Sequence, residues 1–393
     1  TITTAEGTVN ASGINTITTA EGTTNASGIN TVTTAQGTVN MSGVNTVTTA
    51  SSRVSMSGIN TITTANGTVL VTGHANTITT NQGNVWMSGS TATVTNAAGG
   101  DVYITGNTST VTNADGGRIF VTGHTVSVGG SSAGTINITG KENTVTTANG
   151  VVNISGGNGC TNTVTTANAK VVMTGSNNTV TSAAGTVYAT GVNTITTANG
   201  TVNASGINTI TTANGAVNIT GHANTITTNQ GNVWMSGKNN RVYATSAGSN
   251  IYMTGNTSTV TNADGGRIFI TGHTATLATA EGTVNITGKE TTITTANGVV
   301  NISGGNGCVN TVTTANDKVT MTGTNTVTSA AGDVYASGIN YITTVGDDVF
   351  MTGTNTVELA RGNVTATGVN TITSIGNTMG SMTSTTHNGD GST

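Results

Sequence analysis

A unit of fifteen residues, Asn-Thr-Ile/Val-Thr-Thr-Ala-x-Gly-Thr-Val-Asn-apolar-Ser/Thr-Gly-Ile/Val, is read twice between Asn15 and Asn45 and returns almost to the end of the chain. Self-similarity at so short a fixed period restricts the polypeptide to a solenoid, in which each repeat touches only its neighbours. Inside the unit apolar and polar residues alternate with period two, the pattern of half-buried strand. In Thr38-Val39-Asn40-Met41-Ser42 the second and fourth side chains point inward. In Thr31-Val32-Thr33 the valine is inward between two outward threonines. Helix is excluded, because threonine and β-branched residues form helices poorly and a glycine recurs every seven or eight residues. One unit is therefore two short strands and two corners.

The Ser/Thr-Gly corner runs from Gly13, Gly28 and Gly43 through to Gly368, 23 corners spaced 15 to 19 residues apart. The expected fold is an all-β β-solenoid (β-helix) of about 23 rungs, with two short strands per 15–19-residue rung and no helices. It would run continuously over 1–376, a rod on the order of 110 Å at ~4.8 Å per rung. A polar tail, 377–393, would follow, disordered by composition unless a neighbouring subunit holds it. Asn-Gly pairs such as Asn149-Gly150 are read as turns that exploit positive φ. The asparagine two residues before the inward Ile/Val (Asn15, Asn30, Asn45, Asn60, Asn76, Asn193, Asn208, Asn224, Asn340, Asn355, Asn370) recurs so regularly that its amides should stack into a hydrogen-bonded ladder.

Composition narrows the partners. Only 6% of residues are charged and the net charge is −4, which argues against a nucleic-acid backbone. No apolar run approaches the roughly 18 residues of a membrane helix, so no membrane insertion is expected. The chain opens in phase with its repeat and without Met, as a mature chain does once a leader is removed, so an extracellular or cell-surface location is expected.

A longer duplication overlies the short one. HANTITTNQGNVWMSG occurs at His74–Gly89 and His222–Gly237, NTSTVTNADGGRIF at Asn107–Phe120 and Asn256–Phe269, and NGVVNISGGNGC ends at Cys160 and Cys308. The offset is nine rungs, about 43 Å. Within each copy the outward centre of the second strand turns from asparagine to large apolar residues: Leu70, Trp86, Tyr103, Phe120 and Tyr188, then Trp234, Tyr252, Phe269, Tyr335 and Phe350. Aromatics make up 3% of the chain, so their concentration in one exposed column predicts a contact surface. Terminal residues Ile2, Thr3, Ile372 and Thr373 are the expected stacking edges, because no capping segment is spelled at the start.

The first strand presents Thr-x-Thr on nearly every rung, at Thr16/Thr18, Thr31/Thr33, Thr46/Thr48 and Thr61/Thr63 among others. This motif and the fifteen-residue rung resemble the Thr-rich β-solenoid ice-binding proteins. The overall style is similar to bacterial extracellular β-solenoid adhesins and surface fibres. The first resemblance implies a flat array that orders water; Tyr341 and Glu358 interrupt that array, and the long rungs between Gly89 and Gly140 would bend it.

Nothing points to catalysis, a cofactor or a metal. Fourteen acids are scattered, His74, His124, His222 and His273 each follow a corner glycine, and no two histidines share ligand spacing. Cys160 and Cys308, nine rungs apart, are either free or paired between chains. Asp115 with Arg118 and Asp264 with Arg267 are read as local ion pairs. The Asn-x-Ser/Thr spelling follows automatically from the alternation and carries no weight for glycosylation. The expected function is a non-enzymatic, self-assembling subunit of an extracellular filament or sheath. Its partner would be itself, with cell-surface glycans or ice as further partners. The alternative is a monomeric ice-binding or adhesin module using the threonine face.

Overall fold

A computed structural model of the chain describes residues 1–51, 53–98, 100–112, 114–115, 117–130, 134–229, 231–245, 250–263, 266–280, 282–305, 307–375 and 383–386. Among these residues there is no helix, and parallel strands stack rung on rung as a β-solenoid of about 20 turns. That is slightly fewer than the 23 corners in the sequence. Gly13, Gly28 and Gly43 all fall within one unbroken extended segment, Ile2–Ser51, rather than in separate strands. Contacts cluster into two units, Thr1–Ala198 and Asn199–Thr393.

In the first unit, register follows the repeat. Val39, Met41, Asn45 and Val47 pair with Val54, Met56, Asn60 and Ile62. These strands are parallel, so like side chains lie over like. The inward rows are buried almost completely: Ile17, Val32, Val47, Ile62 and Ile78 at 0% exposure form one column. Val54, Val69 and Val85 belong to another. The second unit repeats the scheme from Val202 onward, with Val334, Val349 and Val364 in register. The core consists of these few inward rows, so stability rests on continuous backbone ladders as much as on apolar area.

Glycine is demanded at the corners for two separate reasons. Gly43 and Gly58 have φ of 103°, and a Cβ on Gly58 would fall onto the carbonyl oxygen of Gly43 on the rung below. The Asn149-Gly150 turn departs from expectation. Gly150 does not lie in the left-handed region; it is glycine because a Cβ there would strike the Gly134 backbone. Close rung-to-rung approach, not positive φ, fixes that position.

The polar tail also departs from expectation. Thr383–Thr386 forms a strand parallel to Val364–Ile375, with Thr383 opposite Thr365 and Thr386 opposite Gly368. It is held by its own chain, because alternating threonine and serine offer the same backbone ladder as any other rung. Residues 376–382 and 387–393 lie outside the described residues. Of the expected stacking residues, Ile2 is half-buried and Thr3 exposed, while the side chains of Ile372 and Thr373 also lie outside what is described.

Candidate functional site

Three surface or near-surface columns arise from the repeat, and each is positioned by the parallel register. The first is the asparagine ladder at the corner after Gly. In the first unit Asn15, Asn30 and Asn45 each donate Nδ2 to Oδ1 of the asparagine on the next rung at 2.8 Å. The run continues through Asn60 to Asn76 and resumes from Asn143 through Asn162 and Asn178 to Asn193. In the second unit it links Asn208, Asn224 and Asn240, then Asn310 through Asn370, at 2.6–2.9 Å. Asn30 to Asn355 members of this column are buried, so it is an internal staple rather than a binding site.

The ladder breaks once in each unit. Ala92, Ser109 and Val126 replace asparagine in the first, and Ser258, Ala275 and Thr291 in the second. The next amide loses its donor. The Oδ1 atoms of Asn143 and Asn310 are buried without a partner, as are the hydroxyls of Ser109, Ser258 and Thr291.

The second column is the aromatic one. Trp86, Tyr103 and Phe120 stack on consecutive rungs with centroids 5.5 and 4.9 Å apart and planes within 3° of parallel. Trp234, Tyr252 and Phe269 do the same in the second unit at 5.5 and 5.1 Å, and Tyr335 stacks on Phe350 at 4.7 Å. The spacing follows the rung separation, because each ring is carried on the same strand position one rung further along. Leu70, Trp86, Tyr188 and Trp234 are exposed, and Tyr103, Phe120, Tyr252, Phe269, Tyr335 and Phe350 are half-exposed. Ring faces are largely occupied by neighbouring rings, so what remains open is a ridge of ring edges. Lysines flank the column at equivalent places: Lys170 Nζ lies 4.7 Å from the Tyr188 centroid and Lys318 Nζ 4.1 Å from that of Tyr335.

Beside the aromatics runs a turn column in which a side-chain oxygen accepts from the backbone N–H one rung on. Asn84 accepts from Asp101 and Asp101 from Arg118. The ion pair here joins two rungs. The Arg118 guanidinium pairs with Asp101 Oδ2 at 2.6 Å, on the preceding rung, because parallel stacking places residues 17 apart side by side. The side chains of Asp115 and Asp264 lie outside the described residues. The hydrogen bond from the Arg118 side chain is the main cause that holds the Asp101 carboxyl below its ordinary range, helped by the Arg118 backbone N–H and the Tyr103 hydroxyl.

The third column is the threonine face. Thr16, Thr18, Thr31, Thr33, Thr46, Thr48, Thr61 and Thr63 are all exposed, and Thr46 lies opposite Thr61 in register. Tyr341, half-exposed to solvent at 50%, stands in the equivalent row of the second unit.

One exposed row was not anticipated. Ile14, Ile29, Val44 and Ile59, directly after the corner glycines, are 46–82% exposed. The signal lay in the phase: alternation carried from Met41 through Gly43 to Asn45 leaves Val44 pointing outward. Cys160 and Cys308 are free and buried, each packed against a corner glycine, Gly156 or Gly304. Among the described residues no group of His, Cys, Asp or Glu is arranged to hold a metal, and no helix is long and apolar enough to cross a membrane. No protein-family model matches the chain, and comparison with curated proteins and with solved structures returns no similar protein.

Proposed function

We propose that the chain is a non-enzymatic structural subunit that assembles with copies of itself into an extracellular filament or sheath. Copies pack sideways through the aromatic ridges and join end to end by continuing the parallel backbone ladder. The observation that supports this most is the pair of stacked ridges, Trp86–Phe120 and Trp234–Phe269, one in each unit and left open to solvent on their ring edges. Aligned identical steps of aromatic edges make a dry, repetitive contact of the kind that joins stacked sheets. With the ring faces taken, such a ridge suits another protein surface better than a platform for sugars. Neither nucleic acid nor membrane insertion belongs to this reading, given a net charge of −4 and so few basic residues.

Sedimentation velocity tests it. The native chain should show species that grow with concentration, and Trp86→Ser with Trp234→Ser should shift the distribution toward the monomer while leaving circular dichroism unchanged. A concentration-independent monomer in the native chain overturns the lateral contact.

A second reading, a monomeric ice-binding or adhesin module, is supported by the eight exposed threonines in four consecutive rungs of the first unit. Thermal hysteresis abolished by Thr33→Tyr would favour it; no hysteresis at any concentration rejects the ice-binding form of it.

A further inference from the structure

The outward column of the second strand is aromatic over only part of the first unit. On the rungs before Leu70 it reads Asn10, Asn25, Asn40 and Ser55, and there the surface holds a groove of about 570 Å³, within the size range of small-molecule sites. Lining it are this asparagine column, the hydroxyl column two residues on (Ser12, Ser27, Ser42, Ser57 and Thr72), and edges of Met41 and Met56 from the inward row.

The groups in the groove have a definite chemistry. Asn25 Nδ2 donates to Asn10 Oδ1 and Asn40 Nδ2 to Asn25 Oδ1, both at 2.9 Å. Each such bond uses one of an amide's two N–H groups or one lone pair of its oxygen, so donors and acceptors remain to face solvent. Serine hydroxyls likewise both donate and accept. No charged side chain lines the groove. Donors and acceptors therefore alternate in two parallel rows, repeated at the rung step of ~4.8 Å along the solenoid.

We propose that this groove binds a linear, uncharged polysaccharide lying parallel to the stacking direction. Hydroxyls on both sides of such a chain pair with the amide and serine rows. Other polymers fit less well. A nucleic acid would need cations that the lining lacks. A peptide strand finds no backbone partner, because the strand Val54–Ala65 is already paired on both sides. The site is independent of the assembly reading, since it lies on the rungs before the aromatic ridge and needs only one copy of the chain.

Isothermal titration of the full chain with neutral linear hexasaccharides (cello-, manno- and N-acetylchito-oligosaccharides) provides the test, with oligogalacturonate as the charged control. Saturable binding of at least one neutral hexasaccharide is expected, weaker for the matching trisaccharide. Ser42→Tyr, an exposed position inside the groove, should weaken it about tenfold or more, and Ser27→Tyr should do the same. Thr33→Tyr on the first strand should leave it unchanged. The proposal is overturned if no neutral hexasaccharide binds, if the charged control binds as well, or if both groove-filling variants, folded by circular dichroism, bind like the native chain.

Discussion

The two aromatic blocks are near-copies that differ where it is informative. Trp86-Tyr103-Phe120 and Trp234-Tyr252-Phe269 stack alike, yet the turn beside them carries Asp101 in the first and Asn250 in the second. Both side chains do the same backbone work: Asp101 Oδ1 accepts from Arg118 N at 3.0 Å and Asn250 Oδ1 from Arg267 N at 2.9 Å. Only the carboxylate adds the ion pair with Arg118 and the bond from Tyr103. At these two turns the shared oxygen serves the backbone and the charge is an addition, while Ala216 and Val299 hold the same position elsewhere with no side-chain oxygen. The internal ladder differs as well. In the first unit its break falls on the three aromatic rungs (Ala92, Ser109, Val126), whereas in the second it is displaced by one rung, so that Asn240 persists beside Trp234. The two ladders are not exclusive, because Tyr335 stacks on Phe350 beside an unbroken Asn340–Asn355 bond.

The inner ladder can be tested most forcefully on rungs that carry no outer ring. Asn60→Ala interrupts the ladder beside Ser55, removing the acceptor for Asn45 and the donor for Asn76. It should cost about 2–4 kcal/mol in urea unfolding; a cost below 0.5 kcal/mol would show that the ladder is ornamental. Next in size is the outside ladder. Tyr103→Ala should cost about 1–3 kcal/mol by removing two ring contacts, and Tyr252→Ala somewhat less because it carries no hydroxyl bond to a carboxylate. Equal costs would deny the Asp101 contact any role.

The break itself offers a change of sign. Thr291→Asn supplies Nδ2 to the orphaned Asn310 Oδ1 and removes the unpaired Thr291 hydroxyl, at the cost of an unpaired Oδ1 of its own over Ala275, so it should stabilise by about 1 kcal/mol at most. Val126→Asn supplies the same donor to Asn143 Oδ1 and sets its own Oδ1 toward the unpaired Ser109 hydroxyl, but it gives up a buried valine and should be near neutral. Hydrogen exchange at the adjoining rungs would resolve the two.

The smallest effect is electrostatic. Asp101 has a lowered pKa in the folded chain, so its pairing contributes stability that is fully present above the unfolded carboxyl value near 3.9 and is lost as pH falls through the lowered folded value. Asp101→Asn should remove that acid dependence from the first unit, and Asn250→Asp should introduce it into the second. The pair is exposed on the arginine side, so the change will be a slight shift in the acid midpoint. An unchanged midpoint in both variants would leave the two turns equivalent.

Much of this was legible in the chain because the repeat is its own alignment. Period-two alternation identified the inward residues, such as Val39 and Met41, and the recurrence of asparagine at one phase identified the ladder. The aromatic column was visible for the same reason, since a strand position recurs every rung. What escaped notice depends on neighbours in space that are 15 to 19 residues away in sequence. In sequence Arg118 has Asp115 as its near acid, and only stacking brings Asp101 to it. The exposure of Ile14 and Ile29 follows from the same alternation carried through the corner glycine, which sets an apolar residue at an outward phase. Thr383–Thr386 looked like a tail because its composition is polar, but a parallel ladder accepts any residue with a free N–H and C=O.

Negative-stain microscopy of the purified chain across a concentration series asks most directly whether copies join. The account predicts rods that lengthen and associate side by side as concentration rises. Short, uniform, single-chain particles at every concentration would contradict it.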